Sequence, residues 1–537
     1  MSGAAPLSRV PPAVIDRASF SSTLALVAVR VRAAETSAAL RALRDALLDI
    51  ARVKQVVTPP DAADARLVLL NPSFALSAAV DGGGGGARGA ADADAAALLT
   101  GGSERGAAEA VRAFLARVPG ATLERFTLPL GYEHMSAEDV LRRLLPADVL
   151  GAAAEVQRGF EVVGHIAHIN LRDELRPYGA LIGAVLLDKN AGSIRTVVNK
   201  VAAIESVFRT FPMELLAGES DTRVDVRHCG ARFRFDFRDV YWNSKLQYEH
   251  ALLVDEVIHR GATVADACAG VGPFAVPLAA APRRCTVHAN DLNPASHAAL
   301  VDAIARNDVS GAVTPYCSDA RAFLASLGAC GTEFQEAIMN LPASALEMCD
   351  VFVGFSRRRL LGGGGGAEAP NGESAPRPPL PRVHVYTFAR AATEGGLADD
   401  AVSRLLSVLG LDAPDACAQS AAMAERAALT PAARAVVDAA VRGAHLPHIV
   451  TPLVIATRAT HIPDLLVRDI RNVAPSKHML CVSFTVPSAV AYADCSWEWD
   501  GKPVEPLRTA AAGVSTSHAN KAKKRGRGEE DTAEVTN

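Results

Sequence analysis

The 537 residues include nine cysteines, yet no two form a Cys-x-x-Cys pair and none stands in a Cys/His cluster. That excludes zinc-ribbon and dithiol-redox spacings and points to a reducing cytosolic or organellar compartment with structural thiols. Long apolar runs are missing too. Stretches such as residues 180–187 fall far short of the roughly 20 residues that span a bilayer, so no membrane partner is expected. Charge of one sign is not in excess: 55 Lys+Arg stand against 59 Asp+Glu, a net −4. Balanced totals neither require nor exclude nucleic acid, because a basic face can hide within them. What is plentiful is apolar material, 49% of residues. At this length it can fill roughly two to four domain cores.

Along the chain, residues 1–76 read as a small α/β domain of the order strand, helix, strand, strand. Its helix places Leu40, Leu43, Leu47 and Ile50 on one stripe, with Thr36 or Ser37 as cap. Residues 77–112, with glycines at 82–86 in an Ala/Asp/Gly background, read as a low-complexity linker. A middle domain is expected over 113–245, where Ser136-Ala-Glu-Asp139 opens a helix by a capping box that ends at Pro146. An α/β domain follows over 246–486, with strands near 263–267, 286–290, 336–340, 383–388 and 478–486. A Gly/Pro-rich insertion at 362–381 and an Ala-rich, helical one at 391–447 interrupt it. The segment 487–537 reads as a disordered tail. It carries the basic run Lys521-Ala-Lys-Lys-Arg-Gly-Arg527, which suits a nuclear import signal, a phosphate contact or plain solvation. Arg9, Arg17, Arg30 and Arg32 against the single acid Asp16 give the start a mitochondrial-presequence character, while residues 23–31 also read as a first strand.

Residues 261–292 carry the most chemistry. An apolar strand ends in Asp266 and runs into Gly270-Val271-Gly272, and a second strand ends in Asp291. Glycines allow a close backbone approach, the following helix N-terminus suits polar groups, and an acid ending the second strand suits ribose hydroxyls. Pro273-Phe274 replaces the third glycine of a dinucleotide fingerprint. An acid, three residues and Gly-x-Gly resemble instead the nucleoside-binding turn of class I S-adenosylmethionine (AdoMet) methyltransferases. A Gly-rich strand-to-helix turn can also serve packing alone.

Further segments narrow the reading. Asp319, before Ala320, can accept from an adenine amine or cap a helix. Asn340-Leu-Pro342 ends a strand in an amide that donates and accepts at once, with no aromatic following to stack on a base. His165-Ile-Ala-His-Ile-Asn-Leu-Arg172 reads as a half-buried strand ending in arginine. Phe233-Arg-Phe-Asp-Phe-Arg238 alternates aromatic and basic residues, which suits phosphate and base contacts, or a strand with a solvated arginine face. Tyr241-Trp-Asn-Ser-Lys245-Leu-Gln-Tyr-Glu249-His250 enters the helix before the glycine turn.

Together, HIAHINLR, Val197-Val-Asn-Lys200, VYWNSKLQYEH, DACAGVGPF, NDLNP, NLPASA and Val467-Arg-Asp-Ile-Arg-Asn-Val-Ala-Pro475 resemble the archaeal and eukaryotic type of tRNA (guanine(37)-N(1))-methyltransferase. The resemblance covers residues 15–75 and 125–486. It implies a class I, Rossmann-like AdoMet methyltransferase domain, preceded by a small α/β tRNA-recognition domain and an α+β RNA-binding middle domain. It implies methyl transfer to N1 of guanosine-37, with AdoMet as donor, tRNA as partner, no metal and a monomer working in nucleus, cytoplasm or mitochondrial matrix.

Guanine N1 is a poor nucleophile until it loses its proton, so a base is required. By resemblance Glu249 is that base, Arg172 holds guanine O6, and Asn340 positions base and donor. His250, Asp266, Gly270, Gly272, Asp291, Leu292, Asp319, Ala320 and Asn340 contact AdoMet. Arg172, Lys245, Arg234 and Arg238 contact RNA. Glu249 also fits an ordinary first-turn helix acid. Lys245 and His250 depart from arginines that relatives can carry, and lysine loses bidentate geometry. The rival readings are an aminocarboxypropyl transferase of wybutosine synthesis, against which the Asn340-Leu-Pro segment argues, a non-catalytic tRNA-binding protein and a small-molecule methyltransferase.

Overall fold

A computed structural model describes residues 8–9, 14–76, 99–101, 106–152, 159–201, 208–210, 212–356, 379–390, 394–411, 462, 464–494 and 502–506. The glycines at 82–86, most of both expected insertions and the basic run at 521–527 lie outside these residues. Two compact units divide near Asp221, apart from Val162–Gly164 and the few residues before Met213, which group with the second.

The first unit starts with an antiparallel sheet of order Val56–Val57, Ala65–Leu69, Ser22–Arg32, Thr122–Leu130. Val27, Val29, Val31 and Val68 alternate onto one face, and the helix Ala107–Arg117 covers them with Val111, Phe114 and Leu115. This corrects two expected boundaries. The module does not end at residue 76, because its fourth strand is Thr122–Leu130. Nor is 77–112 wholly linker, since Leu99–Gly101 pairs with Phe74–Leu76 and Ala107–Arg117 is core helix. The helix near residue 36 is also shorter than its stripe implied, Thr36–Ala42. Leu47 bridges Leu70 and the Leu48 amide donates to Leu69 O (2.9 Å), so the sheet edge claims backbone that the helix would need. Neither Thr36 nor Ser37 caps it: a 3-10 turn, Ala33–Glu35, leads in, and Thr36 Oγ1 donates to Ala33 O.

The same unit, apart from Val162 and Val163 of the edge strand, holds a five-stranded sheet of order Ser8–Arg9, Met213–Gly218, Thr196–Lys200, Ile166–Ile169, Glu161–Val163. The helix Gly179–Lys189 packs on it through Ile182, Val185 and Leu186. The capping box at Ser136 forms as expected, with Ser136 Oγ accepting from Asp139 N at 3.0 Å and the helix spanning Ala137–Leu144. Ile166–Ile169 is not half-buried. It runs between two strands, and all four residues are buried.

In the second unit the expected strands assemble into one seven-stranded sheet. We label them β1 Thr263–Asp266, β2 Thr286–Asn290, β3 Val313–Tyr316, β4 Glu336–Met339, β5 Arg382–Arg390, β6 Leu466–Ala474 and β7 Lys477–Thr485. Their order is β3-β2-β1-β4-β5-β7-β6, with β1 to β5 parallel and β7 antiparallel to both neighbours. Strand order reverses between β1 and β4, and such a switch opens a crevice at the carboxyl ends. The helix Glu394–Val408 is the described part of the Ala-rich insertion.

The hairpin Arg223–His228 and Ala231–Asp236 belongs to this second unit, not to a middle domain ending at 245. It is clasped to the helix Pro294–Arg306: Arg232 N donates to Asn307 Oδ1 (2.8 Å) and Asn307 Nδ2 to Arg232 O (2.7 Å).

Phe114→Ala should destabilise the first unit by about 3–5 kcal/mol, the usual cost of emptying a buried phenylalanine site. Thermal unfolding of the full chain should show the first unit melting earlier and the second unmoved; a single unshifted profile would contradict the core assignment.

Candidate active site

The carboxyl ends of the parallel strands gather the sequence-derived acids. Asp266 closes β1, and the next turn has Gly270 at φ +58° and Gly272 at φ +95°, a region costly for side-chain-bearing residues. The two glycines do different work. A Cβ on Gly272 would lie 2.7 Å from Leu300 Cδ1, so that glycine lets the turn pack on the helix Pro294–Arg306. A Cβ on Gly270 would meet nothing within 4 Å, which leaves open space above the turn.

Asp291, just past β2, braces that turn: Oδ2 accepts from Gly270 N (2.8 Å) and Oδ1 from Asn293 N (2.9 Å). Each oxygen keeps acceptor capacity for a ligand hydroxyl. Burial raises its pKa, and the Asn293 and Gly270 amides oppose the shift. Asn290, not singled out from sequence, ties two loops. Its Nδ2 donates to Ala267 O (3.1 Å) and Ser318 O (2.9 Å), and its Oδ1 accepts from Ser318 N (2.9 Å). Asp319 caps the helix Ala320–Ala329 through Oδ1, so the capping reading holds and Oδ2 stays available. Leu292 is 44% exposed, an apolar side chain beside the turn.

Asp266 is fully buried, and no side chain hydrogen-bonds either of its oxygens. Burial and the nearby Asp291 charge push its pKa up to about 8, and the Cys268 amide opposes weakly. A neutral carboxyl without a side-chain partner marks a place built for a cationic or donating ligand group.

Helix Gln247–Leu252 packs its inner face over the turn. His250 meets the Phe274 ring edge-on at 4.5 Å between centroids, and Phe274 lies 6.0 Å from Tyr386 on β5. Glu249 is 3% exposed, so it is no dipole-stabilised surface acid. Its Oε1 accepts from Tyr386 Oη and Arg468 Nη2, both at 2.7 Å, and Oε2 accepts from Arg468 Nη1 at 2.7 Å. Burial and then the Glu249 charge raise the Tyr386 hydroxyl well above its ordinary value, and the same charge raises the Arg468 guanidinium against its burial. Burial is the largest influence on each, raising the first and opposing the rise of the second.

His250 Nδ1 shares a proton with His228 Nε2 at 2.7 Å. Burial holds His228 down to about 4, and burial with the neighbouring His228 holds His250 down to about 3, so both are neutral at pH 7. His250 Nε2 is left buried and without a partner. Asn340 follows β4 with its side chain half-buried, and Pro342 O accepts from Phe388 N of β5 (2.9 Å), which holds that turn beside the Tyr386 strand.

Glu249, His250, Asp266, Gly270, Gly272, Asp291, Leu292, Asp319, Ala320 and Asn340 thus lie in one unit. Arg172 belongs to the other, exposed just past Ile166–Ile169, where buried Asn199 accepts from Leu171 N (3.0 Å) and fixes the turn that precedes it. Lys245 is exposed in the 3-10 turn Ser244–Leu246, ordered by Asn243 Oδ1 accepting from its amide (3.1 Å).

The expectation for Phe233–Arg238 needs correction. Phe233, Phe235 and Phe237 are buried, the first two against Trp242, and cannot stack on bases. Arg234 already holds Asp225 with two hydrogen bonds (2.8 and 3.0 Å), and Arg238 pairs with Asp236. Alternation made the residues look available, while the hairpin buries one of its faces.

Sequence comparison agrees with this geometry. The model described as TRM5/TYW2 methyltransferase domain matches residues 225–361, and the TYW2 N-terminal domain matches 137–222. A tRNA (guanine(37)-N(1))-methyltransferase of Phytophthora infestans is 33% identical over 89% of this chain and 93% of its own length. The chain belongs to the tRNA (guanine(37)-N(1))-methyltransferase family. The Homo sapiens relative of that name is 30% identical over 93% of this chain and 81% of its own. Among solved structures, WT Trm5b from Pyrococcus abyssi is similar over 86% of this chain and 99% of its own, at 19% identity and a TM-score of 0.49. No helix among the described residues is long and apolar enough to cross a membrane.

Asp266 also sets a pH signature. Its folded pKa, about 8, lies above the ordinary value of 3.8, so it contributes stability that is complete below about pH 4 and lost as pH rises through 8. The free chain should therefore melt at progressively lower temperature from pH 6 to 8.5, and Asp266→Asn should flatten that slope. Identical slopes for both proteins would mean that Asp266 ionises normally.

Proposed function

We propose that this chain transfers the methyl group of AdoMet to N1 of guanosine-37 in tRNA, with Glu249 as the base that takes the N1 proton. The observation that carries this reading is a buried carboxylate, Glu249, on a helix packed over an acid-glycine turn at the switch point of a seven-stranded methyltransferase sheet. AdoMet fits the residues present. Asp291 suits its ribose hydroxyls and Asp319 Oδ2 its adenine amine. The Asp266 carboxyl, which no side chain partners, and His250 Nε2 suit its charged amino-acid end, and the open space above Gly270 admits its body. When bound, AdoMet supplies an electrophilic methyl on a sulfonium.

The remaining chemistry falls to side chains. Oε1 of Glu249 is saturated by Tyr386 and Arg468, whereas Oε2 accepts only once and keeps a lone pair for the guanine N1–H. Asn340, half-buried just past β4, can hold the base edge by donating and accepting. Arg172 is assigned to guanine O6, where negative charge grows as the proton leaves. Exposed Lys245 serves a phosphate as a point charge. The target base has to leave the loop stack to reach this depth. Further, the chain acts as a monomer, which light scattering would check. Its Lys521–Arg527 run serves nuclear entry, and its arginine-bearing start serves mitochondrial entry. Fluorescent fusions lacking one or the other segment test these assignments, and unaltered distribution would refute them.

Glu249→Gln should keep tRNA and AdoMet affinity while lowering single-turnover methylation roughly 10²–10⁴-fold, the range for losing a general base. Nucleoside mass spectrometry of guanosine-37 tRNA should show a gain of one methyl. A wild-type rate in the variant would reduce Glu249 to a structural acid, and a larger adduct would favour aminocarboxypropyl transfer.

A further inference from the structure

We infer that Arg468 and Tyr386 are positioning residues for the methyl transfer: together they hold the Glu249 carboxylate so that one lone pair, on Oε2, is left for the substrate proton. The inference rests on the reading of Glu249 as base. It concerns residues beyond 361, where the matched methyltransferase segment ends.

The geometry comes from strand register. Tyr386 on β5 stands opposite Cys481 on β7, and Cys481 stands opposite Arg468 on β6. Residues in register across adjacent strands project from the same face, so the three form a row across the closing strands. The row spans two strand spacings, about 10 Å, and its outer members are long enough to converge on one carboxylate above the small central thiol. Glu249 meets that row from helix Gln247–Leu252, taking three hydrogen bonds of 2.7 Å from two strands 82 residues apart in sequence. The pair is nearly sealed, with both side chains 4% exposed.

Three donors on one carboxylate have a chemical consequence. Charge-assisted donors, a bidentate guanidinium above all, stabilise the charge of a carboxylate and fix its orientation. The base is thus held in one orientation before substrate arrives. The proton it takes must go to Oε2, because both Oε1 lone pairs are engaged. The titratable and charged groups around it are Tyr386 on β5, Arg468 on β6, Cys481 on β7, and Tyr248 and His250 on its own helix. His250 is neutral, and Tyr248 feels Glu249 and Arg468 together.

The test is the pH dependence of single-turnover methylation by the full chain, with saturating AdoMet and guanosine-37 tRNA. Tyr386→Phe removes one donor and Arg468→Lys removes bidentate geometry while keeping charge. Both should move the acid limb of the rate profile upward, so that the loss is greatest at low pH and shrinks as pH rises. Arg468→Met should fall to the level of Glu249→Gln, and combining those two changes should cost nothing further, since both break the same unit. AdoMet affinity by calorimetry should remain at the wild-type value in Tyr386→Phe and Arg468→Lys, which shows that the fold survives. A wild-type acid limb in both of those variants, with Glu249→Gln still crippled, overturns the inference and leaves Glu249 as base. A wild-type rate in Glu249→Gln overturns the reading of Glu249 itself. If Arg468→Met does not fold, the Tyr386→Phe and Arg468→Lys profiles decide alone.

Discussion

The helix Gln247–Leu252 precedes the first strand of the seven-stranded sheet, and the pair β6–β7 closes that sheet more than 200 residues later. One interaction joins them: the two-pronged contact of Arg468 with Glu249, topped by the Tyr386 hydroxyl. Removing one partner from such a buried pair costs about 3–5 kcal/mol, because the other charge is stranded. The helix therefore cannot shift without breaking the ion pair. Through Phe274 the same helix presses on the turn that carries Gly270 and Gly272. The base, the glycine turn and the closing strands consequently move as one body, and a substrate bound there meets a carboxylate whose orientation is already fixed.

Local pattern carried much of this into the sequence. An acid, three residues and Gly-x-Gly after an apolar strand specify a strand-to-helix turn, and the structure builds it with both glycines at positive φ. All five expected strands of the large domain form, because period and turn residues are local properties. Pairing is not local. Nothing near residue 76 announces that Thr122–Leu130 completes the first sheet, so the module was cut short. Nothing near Leu47 shows that the sheet edge will take its backbone from the helix. Arg468 lies within a quoted motif and Tyr386 within an expected strand, but their meeting with Glu249 depends on the order β5-β7-β6, which hydrophobic periodicity does not encode. Phe233–Arg238 failed differently. Alternation predicts two faces but cannot say that the aromatic one faces inward and that the arginines find carboxylates.

Two buried acids, treated in opposite ways, distinguish structure from readiness. Glu249 takes three hydrogen bonds from two side chains and has a single opening at Oε2. Asp266 takes none from side chains, sits near a second acid, Asp291, and is raised to about 8. Ionising a buried carboxyl that no side chain partners costs free energy unless something completes it. His250 Nε2 is incomplete in the same way, although its other ring nitrogen is satisfied by His228. Two incomplete groups of complementary character, an acid and an imidazole, in the unit that holds the glycine turn match a zwitterionic ligand end better than either matches the protein. The saturated acid belongs to the chemistry and the two unsaturated groups to the donor, a division that follows from counting lone pairs and protons around each side chain.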